Sequence, residues 1–163
     1  EGLVGTPDRV VRAYGEWFAG YWEDPASILL RTFEEVEGYD EMVIVKNIEL
    51  ESHCEHHMAP FLGKAYVAYQ PTASVVGISK LARVVEIFAK RLQTQETMTA
   101  QICDAITESL APAGCAVLID AKHQCMTTRG VHHPDVSTIT TQFTGVFKTD
   151  KDKRDRFLRL AGK

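Results

Sequence analysis

A chain of 163 residues, 45% hydrophobic and 25% charged, is long enough to bury one sizeable core without cross-links. Its net charge of −4 excludes nucleic-acid binding driven by bulk charge, yet an anionic small ligand responds only to the local field of a pocket. No apolar run approaches the length needed to span a bilayer, and four cysteines are too sparse for a disulfide framework, so they read as thiols of a reducing, cytoplasmic compartment. The chain shows no signal-peptide pattern and begins at Glu1 rather than Met, so its N-terminus reads as trimmed or processed, with room for a lost leader.

The stretch T-P-D-R-V-V-R-A-Y opens a helix. Thr6 serves as cap, Pro7 suits the first helical position and Asp8 complements the dipole; Val10, Val11, Tyr14, Trp17 and Phe18 share a stripe. Residues 19–40 are broken by Gly20, Pro25 and Gly38 and read as loop with one short helix over 25–33. Residues 41–53 are β-rich and alternate, and 63–71 form a second strand ended by Pro71; the two pair antiparallel. The period then changes to helical over 79–92, with Ser79 as cap, and again over 97–110, stopped by Pro112 and Gly114. Residues 115–126 predict a buried third strand, 137–147 a threonine-rich fourth, and Asp150 caps a last charged helix. The fold class is α+β: a four-stranded antiparallel sheet, two helices between strands two and three, and an N-terminal helix. The expected organisation is a single domain overall, with an N-terminal helical segment at 1–40 and the catalytic part at 41–163.

S-H-C-E-H-H, at 52–57, packs three histidines, a cysteine and a glutamate into six residues. Cys54 and His57 are separated by two residues, so one turn can bring both to one ion. Zinc takes sulfur and nitrogen, and a catalytic site keeps three protein ligands plus water. The third ligand is expected from H-Q-C, where strand alternation puts His123 and Cys125 on one face. Cys54, His57 and Cys125 then close a Cys₂His site with one open position, flanked by His56 and His123, which can move protons at neutral pH. A purely structural zinc would instead recruit His56 or His123 as a fourth ligand. His53 reads as an end-of-strand side chain, His132 and His133 as exposed loop, and Cys103 and Cys115 as core thiols.

Ser79, Lys80 and Arg83 start a helix, a ready anion site, though on sequence alone a solvated helix face is the better account of the two cations. Arg129, four residues after Cys125, adds a forked donor near the metal. In Q-T-Q-E, the Glu96 carboxylate can accept both N1–H and the 2-amino group of guanine, with Gln95 beside it; otherwise both simply belong to a first helical turn.

Together, C-E-H-H, V-V-G-I-S-K-L-A-R, R-L-Q-T-Q-E and H-Q-C-M-T-T-R-G, in this order and spacing, closely resemble GTP cyclohydrolase I from about Gly38 onward, with a weaker match in the first helix. The resemblance implies the tunnelling fold and a homodecamer of two pentamers with interfacial active sites. It implies Cys54, His57 and Cys125 as Zn2+ ligands and His56 and His123 as catalytic histidines. It implies Glu96 with Gln95 on guanine, and Ser79, Lys80, Arg83 and Arg129 on the triphosphate or ribose side. The implied reaction converts GTP and water to formate and 7,8-dihydroneopterin triphosphate, the first step toward folate or tetrahydrobiopterin, with His123 donating a proton to N7. The chain lacks much of the N-terminal region usual in that family. The competing expectations are an enzyme of the same fold acting on another purine or pterin, and a zinc-stabilised oligomeric purine- or pterin-binding protein without turnover. No nucleic-acid or membrane partner is expected.

Overall fold

Alternating β-branched and aromatic residues build long strands here, and 3.6-residue periodicity builds the two helices that cover them. In the computed structural model, which describes residues 1–33 and 38–163, α1 (Thr6–Trp17) leads into a 3-10 turn (Ala19–Trp22), α2 (Pro25–Leu29) and β1 (Thr32–Phe33). The central part runs β2 (Val43–Cys54), β3 (Pro60–Gln70), β4 (Val75–Val76), α3 (Ile78–Ala89), β5 (Leu92–Gln93) and α4 (Gln95–Leu110). The chain ends with β6 (Gly114–His123), α5 (Gln124–Thr127), β7 (Thr138–Phe143), α6 (Gly145–Thr149) and α7 (Lys151–Ala161). The expected loop at 34–37 lies outside the described residues.

The main sheet has the order β5-β2-β3-β6-β7. Its four long strands are antiparallel neighbours, as expected, but β5 adds parallel to the end of β2 through His53↔Leu92 and Cys54↔Gln93. The sheet is therefore mixed and five-stranded, not four-stranded and antiparallel; β1 and β4 form a separate two-stranded ribbon. Two residues are too few to show a strand period, so β5 carries no sequence signal.

One face of the sheet is covered by α3 and α4. Leu81, Val84, Val85 and Phe88 from α3 join Met98, Ile102 and Ile106 from α4 over Leu50, Phe61, Val67, Val117 and Ile119. The other face puts Tyr66, Ala68, Ala116 and Leu118 under Phe147 and Phe157 of α6 and α7. Covered on both sides, β6 reads as the continuous apolar run C-A-V-L-I rather than as alternation. At about 25 cal/mol per Å² of apolar surface, each such buried side chain contributes roughly 1.5–3 kcal/mol.

Helix starts differ from expectation in two places. Gly5 and Gly77, not Thr6 and Ser79, hold the N-cap positions of α1 and α3, and neither offers a side-chain bond. The Thr6 hydroxyl instead donates to the Gly2 carbonyl at 3.4 Å. Asp150 does cap α7, accepting from the Asp152 and Lys153 amides at 2.9 and 3.2 Å. The fourth strand stops at Phe143, short of the expected 147, because Gly145 turns the chain at φ +50 into α6; a Cβ there would sit 2.0 Å from the Ala113 carbonyl oxygen. The α1 stripe is not inward: none of its residues is buried, and Tyr14 and Trp17 stay partly exposed. The turn after it is anchored, with the Gly20 amide donating to Lys90 O and Arg91 Nε donating to Gly20 O, both at 3.0 Å. Among the described residues, no helix is long and apolar enough to cross a membrane.

Candidate metal centre

β2 delivers Cys54 to a tight turn. The Cys54 carbonyl accepts from the Met58 and His57 amides at 2.8 and 3.3 Å, and its own amide donates to Ala59 O at 2.9 Å. Met58 takes the left-handed conformation, φ 51, that lets the chain reverse so sharply. The Glu55 amide donates to Gln93 O at 3.0 Å, so β5 is fastened to the turn itself. Both turn histidines are exposed, and Cys54 Sγ lies 3.8 Å from Nδ1 of each.

Cys125 arrives differently from the expected route. β6 ends at His123, and Gln124–Thr127 wind into one helical turn, with the Thr128 amide donating to Gln124 O at 3.0 Å. A helical turn, rather than extended alternation to residue 126, thus carries Cys125 across. The ligand atoms of Cys54, His57 and Cys125 all lie within 4.8 Å of one another.

This donor set fits zinc. Two ligands about 2.3 and 2.1 Å from one tetrahedral ion lie roughly 3.6 Å apart, close to the Cys54–His57 separation of 3.8 Å. Among the described residues the group has three members, which matches the pattern that leaves a fourth position open. His56 shares the distance to Cys54 but does not join the group. Burial, then the adjacent Cys54 thiol, push the Cys125 thiol up, with Arg129 opposing. The crowded Cys125 thiol resists ionising, and a divalent cation held there removes that resistance.

Beside the cluster is a cavity of about 230 Å³ whose wall includes His56, Glu96 and His123 as well as the three candidate ligands. His123 is fixed from two directions. Its ring stacks on Phe61 at 4.5 Å and 9°, across the β3–β6 register pair Phe61↔His123. Its Nε2 meets Gln95 Oε1 at 2.8 Å. Burial pushes the His123 imidazole down, and the Glu96 carboxylate opposes this.

Gln95 is placed differently from its neighbour Glu96. It borders the cavity, but it is 1% exposed, and its amide nitrogen faces Ile119 O, Thr138 O and Thr140 Oγ1 at 3.2, 2.9 and 3.1 Å. Its side-chain nitrogen is engaged within the fold, and its oxygen meets His123. Glu96, by contrast, is exposed at the cavity wall. Arg129 is exposed and close enough to act on Cys125. Ser79, Lys80 and Arg83 are not brought to this cavity: Arg83 borders a separate groove of about 290 Å³ together with Glu49, Glu51 and Glu86. Phe61, Thr99 and Thr140 support His123 directly or through Gln95 and were missed by the sequence reading. The threonines of β7 gave the only hint, since a strand so rich in hydroxyls needs partners for them.

Comparison with known proteins agrees with this site. The family model GTP cyclohydrolase I matches residues 1–162. A GTP cyclohydrolase 1 of Hyphomonas neptunium is 74% identical over 162 residues, 99% of this chain and 79% of that protein. Those of Maricaulis maris and Pelagibacter ubique are 69% and 56% identical, over 98% and 100% of this chain and 78% and 81% of theirs. Among solved structures, the crystal structure of the archaeosine synthase QueF-Like in the apo form overlays with a TM-score of 0.53. It is 16% identical and covers 64% of this chain and 93% of that one, so it bears on the fold alone and supports the tunnelling fold. With the family model spanning nearly the whole chain and relatives this similar, the chain belongs to the GTP cyclohydrolase I family.

Proposed function

We propose that this chain is a zinc-dependent enzyme that opens the imidazole ring of GTP at C8, releasing formate and forming 7,8-dihydroneopterin triphosphate. The observation that carries the reading is the Cys54–His57–Cys125 group at the wall of a cavity that also holds His56, His123 and Glu96. Zinc held by those three residues supplies a Lewis acid that makes water a nucleophile near neutral pH. Glu96 accepts the N1–H and 2-amino hydrogens of guanine and sets C8 against the metal end of the cavity. Adenine, with no matching pair of donors, leaves the carboxylate unsatisfied. His123, held rigidly, donates a proton to N7 as the C8–N bond breaks. His56, exposed on the turn, carries protons to and from the cavity mouth.

Ser79, Lys80, Arg83 and Arg129 bind the triphosphate and ribose. None of the four is among the residues that line the cavity of their own chain, which supports a site completed by another copy. β7 ends the sheet with an open edge, suited to pairing with a further copy, and a decamer of two pentamers with interfacial sites accommodates both features. Residues 1–40 act as an N-terminal helical segment on the catalytic part, 41–163. Four free cysteines suit the cytoplasm.

The test is ultraviolet absorbance of the purified protein with GTP, with and without a chelator, alongside formate release. Chelator-sensitive pterin formation with equimolar formate is expected. GTP binding with bound zinc but no pterin would replace the proposal with a binding protein.

A further inference from the structure

The His123–Gln95 contact has only one consistent arrangement of hydrogens. The Gln95 amide group must point its NH₂ toward Ile119 O and Thr138 O, because a backbone carbonyl only accepts. Flipping the amide would set Oε1 against both carbonyls. The hydroxyls agree. Thr99 Oγ1 donates to Gln95 O at 2.6 Å, so at its 2.7 Å contact with Thr140 it accepts, and Thr140 Oγ1 in turn accepts from Gln95 Nε2 at 3.1 Å. The ring of bonds leaves Gln95, passes through both threonines and returns to the Gln95 backbone, with each hydroxyl hydrogen assigned. Gln95 Oε1 therefore faces His123 as a pure acceptor at 2.8 Å. The atom opposite must carry a hydrogen.

We infer that Gln95 is a positioning residue for His123: its Oε1 holds the ring in the Nε2–H tautomer, leaving Nδ1 as the nitrogen that exchanges a proton in the cavity. Phe61 fixes the plane of the ring, and Gln95 fixes its rotation within that plane. The two restraints are complementary, since a stack alone tolerates a ring flip and a single hydrogen bond alone tolerates tilting. Both come from positions locked in the sheet and its covering helix: Phe61 is fully buried, and Gln95 is 1% exposed in the first turn of α4. A ring free to flip would present the wrong nitrogen part of the time. A buried glutamine whose donors are taken by the backbone prevents this without adding a charge near the metal ligands. The inference rests on the proton-donor role proposed for His123, and it assigns the atom: Nδ1 takes up the proton that the attacking water loses and passes it to N7, while Nε2–H stays on Gln95.

The experiment uses the zinc-loaded, full-length oligomer. Solid-state nitrogen-15 spectra of histidine-labelled enzyme, with the His123 signals identified by their absence in His123→Gln, should show Nε2 protonated and Nδ1 bare in the neutral ring. Gln95→Met keeps the length and removes the acceptor. It should lower kcat about 10- to 100-fold, the range typical for loss of an orienting partner, leave KM for GTP within about twofold, retain zinc, and give a mixed tautomer spectrum. An Nδ1–H tautomer in the unsubstituted enzyme overturns the inference whether or not the variant folds. A raised KM with kcat intact also overturns it, returning Gln95 to guanine recognition. Should His123→Gln turn over GTP at the parent rate, the acid role itself is lost, a failure the tautomer spectrum keeps separate.

Discussion

The two halves of the metal centre are built to different standards. The β6 half is preorganised: His123 stacks on a fully buried phenylalanine, is held by a glutamine clamped to backbone carbonyls, and leads directly into the turn that bears Cys125. The 54–59 half is a tight turn whose two histidines are exposed, with only Cys54 buried. Where a proton must move along a set direction, the fold supplies rigidity from its core. Where a ligand must close on an ion, the fold supplies a short turn and leaves the last constraint to the ion. The difference predicts that damage to one half changes the chemistry and damage to the other changes metal retention.

The strongest way to break that contrast is at the ligands. Cys54→Ser should release zinc from the oligomer and abolish turnover, read as zinc content by atomic absorption alongside pterin formation. Retained stoichiometric zinc would contradict the assignment of Cys54. His123→Gln should keep zinc and assembly and lower turnover by about 10²–10⁴-fold, the usual worth of a positioned acid. Loss of zinc in that variant would erase the distinction between the halves.

Phe61 probes the same half through stability. Phe61→Ala removes a fully buried ring beneath His123 and should cost about 3–5 kcal/mol in urea unfolding, where Phe61→Leu should cost less. Equal costs would mean that restored volume recovers nothing and that the aromatic stack itself carries the loss. Chelation acts more gently. Removing zinc should raise amide hydrogen exchange at Glu55 and His57 while the amides at the end of β6, paired with β3, keep their protection. Uniform loss of protection would show the ion holding both halves.

The smallest effect is expected three residues upstream of His123. Burial works to raise the Asp120 carboxyl, but hydrogen bonds from Lys163 and Ser137 outweigh it and hold the group below its ordinary value. A depressed carboxyl stabilises the fold above its unfolded pKa, and that contribution disappears as pH falls through the lower folded value. The pair is partly exposed, so Asp120→Asn should cost at most about 1 kcal/mol at pH 7 and nothing measurable in acid, by thermal unfolding across pH. Metal affinity should not change.

Much of the centre was legible because its residue types are rare and closely spaced. Cys54, His57 and Cys125 are recognisable as ligands from chemistry alone, and α3 and α4 from their apolar period. What escaped depends on contacts between distant segments. The single helical turn of α5 is too short to have a period, so Cys125 was expected on an extended strand. Gln95 looks like a recognition residue beside Glu96 until three acceptors from β6 and β7 are seen around its amide. Arg83 shows its charge in the sequence, but not that its own chain directs it to a different groove.

One small feature bears on how freely this chain can vary. β5 joins α3 to α4 and looks like ordinary connecting loop, a place where insertions usually cost little. Its two ladder partners are His53 and Cys54, and Gln93 O also takes the Glu55 amide. One residue added or removed between Leu92 and Gln95 would therefore slide the end of α4 that bears Glu96 past the turn that bears Cys54 and His57 by a full strand step, roughly 3.3 Å. The connector works as a spacer of fixed length, and drift in its length is closed to this chain even where drift in its side chains is not.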